Sequence, residues 1–74
     1  MKLLSLYRFR AMDKKGETIK HGYAAAEGEN DARDLIEEYL STRFALVPAA
    51  LSVVETNNAG HRLASENPLR IIVR

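Results

Sequence analysis

The side chains in this sequence that could do chemistry are few and far apart. Two histidines, His21 and His61, are the candidates for a general base or a metal ligand. A general base needs a partner within hydrogen-bond reach, and a zinc-type site needs three or four ligands, often at recognisable spacing. Neither histidine has such company. His21 sits in an alternating run with Ile19 and Tyr23, and His61 follows Gly60 in a stretch of turn-like composition. The serines Ser5, Ser41, Ser52 and Ser65 lack the Gly-x-Ser-x-Gly context that exposes a nucleophile. Gly16, Gly22, Gly28 and Gly60 are too scattered for a phosphate-binding loop. With no cysteine there is no disulfide, no thiolate zinc site and no thiol nucleophile. The expectation is a protein that is not an enzyme and uses no metal or cofactor.

What remains is charge, and it is segregated. The net charge of +1 is the sum of two opposed blocks. Residues 1–22 carry Lys2, Arg8, Arg10, Lys14, Lys15 and Lys20 against Asp13 and Glu17. Residues 27–38 carry Glu27, Glu29, Asp31, Asp34, Glu37 and Glu38 against Arg33 alone. Such a split bears on partners rather than on fold.

The elements that must position these charges follow from periodicity. Tyr7, Phe9 and Ala11 alternate with Arg8, Arg10 and Met12, the period of a half-buried strand. Asp13-Lys14-Lys15-Gly16 supplies turn chemistry, with Gly16 where a positive φ is needed. Glu17 to Ala25 alternates again, placing Ile19, His21, Tyr23 and Ala25 on one face and Thr18, Lys20, Gly22 and Ala24 on the other. The period then changes: Ala32, Leu35, Ile36, Tyr39 and Leu40 form one stripe of a helix, with Gly28 or Asn30 as its N-cap and Arg43 at its end. Leu51 to Glu55 is a third strand, Thr56 to His61 a turn or linker, and Leu69 to Arg74 a strand-like end. That end could close the sheet or pair with a second copy as a homodimer contact. The fold class expected is α+β, a two-layer sandwich of a three- or four-stranded antiparallel sheet with one helix, ββαβ(β). Residues 1–55 form the core domain and 56–74 a linker and C-terminal tail.

Seventy-four residues make one domain near the lower size limit for an unaided core, with 46% apolar residues to fill it. The longest apolar stretch without charge, Phe44 to Val54, is interrupted by Pro48 and falls short of the roughly 20 residues that span a bilayer. No membrane span is expected, and the chain is taken to be soluble and cytoplasmic.

The run from Tyr7 to Glu55 resembles the N-terminal cytoplasmic domain of the inner-membrane platform proteins of type II secretion and type IV pilus assembly. The matching positions are Tyr7, Phe9, Arg10, Ala11, Asp13, Gly16, Gly22, Ala32, Arg33, Leu35 and Val53. That family continues into transmembrane helices, and these residues do not. The strand-strand-helix-strand rhythm is similar to that of short phage-encoded proteins as well, including anti-CRISPR inhibitors. Either resemblance implies a small domain that binds another protein.

Two surfaces are candidates for that contact. Arg8, Arg10 and Lys20 are expected to project from the sheet face opposite Tyr7, Phe9 and Tyr23. Asp31, Asp34 and Glu38 recur at i, i+3 and i+7 on the outer face of the helix, with Arg33, Glu37 and Ser41 alongside. Because parity assigns the aromatics to the core face, nucleic acid is an unexpected partner, and a nucleic-acid-binding accessory protein stands as the third reading after an inhibitor or adaptor and a soluble relative of the secretion-platform domain. A larger protein assembly is the expected partner.

Overall fold

In the computed structural model, which describes residues 4–57 and 59–74, the chain runs β1 (Ser5–Met12), β2 (Thr18–Ala26), α1 (Glu29–Phe44), β3 (Ala50–Asn57), α2 (Gly60–Glu66) and β4 (Ile71–Val73). The basic residue Lys2 and the Asn58 of the expected linker lie outside the described residues. Four antiparallel strands form one sheet in the order β3-β1-β2-β4, so the two hairpin strands occupy its centre. The architecture is the expected α+β two-layer sandwich, with four strands and a second helix.

The hairpin closes around Asp13. Its Oδ1 accepts the backbone N–H groups of Lys15 and Glu17 at 2.8 and 3.0 Å, and Gly16 takes φ +84°. One residue of β2 is extra here. Ala11 pairs with Lys20 but Met12 pairs with Thr18, so Ile19 forms a bulge.

Helix α1 begins at Gly28, whose extended backbone supplies no side-chain cap, and Glu29 and Asp31 lie in the first turn where the helix dipole favours carboxylates. It ends one residue past Arg43. Ala45 adopts the left-handed conformation (φ 51°) and its N–H donates to Ser41 O, the bond of an αL cap, while the Leu46 N–H donates to Leu40 O. The connection to β3 is therefore only Ala45 to Ala49, shorter than the sequence suggested.

The stripe on α1 seats against the sheet through Ala32, Ile36 and Leu40, all fully buried, while Leu35 and Tyr39 pack at its margins. On the sheet side the core face is Tyr7, Phe9 and Ala11 of β1, Ala24 and Ala26 of β2, Val53 of β3 and Ile71 of β4. Phe9, Ile36 and Leu40 are the largest wholly buried side chains. The alanines around them let the helix approach closely.

The register corrects one expectation. Tyr7 faces Ala24, Phe9 faces Gly22, and Arg8 faces Tyr23. Directly opposed residues share a face, so Tyr23 stands with Arg8 and Arg10 and is not part of the core; it remains 39% exposed. Lys20, opposite buried Ala11, lies instead on the helix side of the sheet. The alternation within each strand was legible, but its relative phase was not. Bulky Tyr23 suggested core, whereas the buried face of β2 is built from Gly22, Ala24 and Ala26.

The end of the chain is also more structured than its composition implied. The Thr56 to His61 stretch contains the end of β3 and the start of α2. Gly60 packs its backbone directly on β1: a Cβ there would stand 2.6 Å from the Leu4 and Ser5 carbonyl oxygens. Its N–H donates to Leu4 O at 3.1 Å, and the Leu4 N–H donates to Nε2 of His61 at 3.3 Å. The rest of α2 lies over the Leu6 and Ala25 end of the second sheet face, with Leu63 buried. Strand β4 then pairs with β2 within the same chain, closing the sheet as its fourth strand.

Two outcomes follow for stability. Phe9→Ala and Ile36→Ala should each cost about 3 kcal/mol in denaturant titrations, and Leu35→Ala less because Leu35 is only partly buried. Gly22→Ala should release β4, since a Cβ at Gly22 would collide with the Ile72 carbonyl oxygen. Hydrogen exchange would show it as lost protection at the Ala25 amide, which donates to Arg70 O at 2.9 Å, with the β1–β3 amides unchanged. Retained protection at Ala25 would contradict this account of Gly22.

Candidate functional site

The two faces of the sheet have different fates. One is covered along its length by α1; the other carries α2 at one end and is open over the remainder. Across that open face the register sets Val54, Arg8, Tyr23 and Ile72 in one row over the four strands. The next row is Ser52, Arg10 and His21, followed by Arg74, whose N–H donates to His21 O at 2.8 Å. Arg8, Arg10, His21 and Arg74 are exposed.

Arg10 is held in place. Its Nε and Nη2 donate to Thr18 Oγ1 at 3.1 and 2.7 Å. Among the described residues no carboxylate forms an ion pair with Arg8, Arg10 or Arg74; the pairs present are Arg33–Glu29 at 3.5 Å and Arg62–Glu66 at 3.7 Å. Both are exposed i, i+4 pairs of the kind that adds little to stability.

Lys20, grouped with these arginines by sequence, is separated from them by the sheet. Its Nζ lies 4.6 Å from the centroid of the Phe44 ring at the end of α1. A cation over a half-exposed ring contributes on the order of 0.5–1 kcal/mol. Lys20 thus fastens β2 to the helix terminus, a role that periodicity could not reveal.

The helix carries the opposite charge. Asp31, Asp34, Glu37 and Glu38 are all exposed on α1. An open groove of about 590 Å³ runs between this helix and the Leu46–Leu51 segment, and Asp34, Glu37 and Glu38 form its acidic wall. Val47, 85% exposed, lies across it with Pro48 and Ala49. On the other flank of the helix, Asp31, Asp34 and Glu38 border a second hollow with Arg70. Arg33, the one cation among these acids, is already engaged: besides Glu29, its Nη1 donates to Leu51 O at 3.0 Å.

The chemistry-bearing side chains do not converge. His21 is on the open face and His61 is on α2, accepting the N–H of Leu4, the residue before β1. Among the described residues no three His, Asp or Glu side chains gather as a metal site. Burial raises the Tyr7 hydroxyl above the ordinary tyrosine value, and the Glu55 carboxylate that accepts its hydrogen bond at 3.4 Å adds to the shift. Tyr7 therefore stays a neutral donor at physiological pH and ties β1 to β3.

The arrangement can hold a partner by charge on either side, one basic and one acidic, and no helix of the described residues is long and apolar enough to cross a membrane. No family model, curated protein or solved structure matches this chain.

Proposed function

We propose that this protein is a non-catalytic protein-binding module, a small inhibitor or adaptor that docks on a larger assembly through the outer face of α1. The observation that carries the reading is the acidic strip of Asp31, Asp34, Glu37 and Glu38 flanking exposed apolar side chains. Val47 is 85% exposed, Leu69 49% and Phe44 43%, and all three border the helix or its groove. Like charges three and four residues apart cost helix stability. A strip with four of them, whose neighbouring Arg33 is bound to the β3 backbone, is therefore arranged for something other than helix formation. Apolar contacts ringed by charge are the anatomy of a protein interface, with the charges acting mainly on association rate and specificity. The partner surface this fits is basic with an apolar centre.

The test is a double charge reversal. Asp34→Lys with Glu38→Lys should leave the circular dichroism spectrum and melting behaviour intact, because both side chains are exposed. It should slow partner association by tenfold or more at low salt, an effect that shrinks as salt is raised. Val47→Asp should raise the dissociation rate. Association unchanged by the reversal would place the protein contact elsewhere.

A further inference from the structure

The open sheet face has no part in that docking, yet it is the more organised of the two surfaces. Tyr23 lies at its centre and borders two adjoining hollows. One, of about 310 Å³, is lined by Arg8, Arg10, Thr18 and His21 as well as Tyr23. The other, of about 280 Å³, is formed beside Tyr23 by Leu6, Leu63, Ile72 and Arg74, with Arg62 and the Glu66 it pairs with at 3.7 Å. A polar, cationic hollow and a mainly apolar one thus share a single aromatic wall. Arg8 and Tyr23 are directly opposed across β1 and β2, which puts their Cβ atoms about 5 Å apart. Arg10 follows two residues along β1, roughly 6.6 Å further.

We infer that this face binds single-stranded nucleic acid, a base stacking on Tyr23 and the flanking phosphates meeting Arg8, Arg10 and Arg74. Three observations select this occupant. The cations are arginines without ion-pair partners among the described residues, so an incoming anion displaces no internal carboxylate. The aromatic is on an interior strand, whose backbone groups are already paired on both sides by β1 and β4. An extended peptide therefore finds no edge there to add to, whereas a base needs only the ring face. Finally, the face is a broad antiparallel sheet with exposed Val54 and half-buried Ile72 on either side of the Arg8–Tyr23 pair. Away from α2, which covers one end, it offers an open platform on which unstacked bases can lie.

The measurement is fluorescence anisotropy of a labelled oligouridylate of about 12 nucleotides, titrated with the full chain between about 50 and 200 mM salt. Three phosphate contacts give a slope of log K against log salt of about −2. Tyr23→Ala should weaken binding about tenfold or more and Tyr23→Phe should retain it, since stacking uses the ring and not the hydroxyl. Arg8→Gln with Arg10→Gln should flatten the salt slope, and Asp34→Lys with Glu38→Lys should leave the oligonucleotide bound. The last variant separates this inference from the protein-docking reading, because each can fail while the other holds. Melting curves of every variant check that the fold is kept. Three results would overturn the inference: no binding at the lowest salt, wild-type affinity in a folded Tyr23→Ala, or equal affinity for a duplex or for polyglutamate.

Discussion

The structure depends on the seating of one helix against a sheet face made of small residues. Ala11, Ala24, Ala26 and Ala32 are all buried, and they leave just the depth that Phe9, Ile36 and Leu40 fill. In a core this small each large side chain supplies a sizeable share of the whole. The same thinness explains the polar ties at its margins. Tyr7 to Glu55 joins two paired strands, and Arg33 to the Leu51 carbonyl and Lys20 over Phe44 fasten the helix to the sheet.

Because the buried face of β2 is glycine and alanine, its bulkier residues are forced to the other side. Tyr23 and His21 are exposed for this reason, and they bring an aromatic ring and a row of cations onto one surface. Gly22 adds a second consequence: with no Cβ, it lets the β4 backbone close against β2. Close helix packing, a fourth strand and an aromatic-basic platform are thus three results of one composition, the Gly22-Tyr23-Ala24-Ala25-Ala26 run.

Most of the fold was legible from residues alone. Tyr7-x-Phe9-x-Ala11 and the Ala32/Leu35/Ile36/Tyr39/Leu40 stripe are strong periodic signals, and the Asp13–Gly16 turn has few alternatives. Which face of β2 meets the helix was not legible, because alternation fixes parity within a strand while the turn and the Ile19 bulge fix it between strands. Helix α2 was hidden for a different reason. Seven residues give too few turns for a periodic pattern, and it opens on Gly60 after Asn57, residues that ordinarily mark a turn. The separation of Lys20 from Arg8 and Arg10, and the placing of Tyr23 with them, both trace to that unreadable phase.

The molecule is only 18 Å through its shortest principal axis, but that is still about twice the distance over which physiological salt damps an electric field, ~8 Å. The acidic helix and the basic sheet face are therefore nearly invisible to each other from solution. A charged body approaching either side meets the local sign, and the formal total of +1 describes neither encounter. In dilute salt the damping distance grows to about 30 Å, and the same protein then behaves as a dipole that turns to present one side before it touches anything.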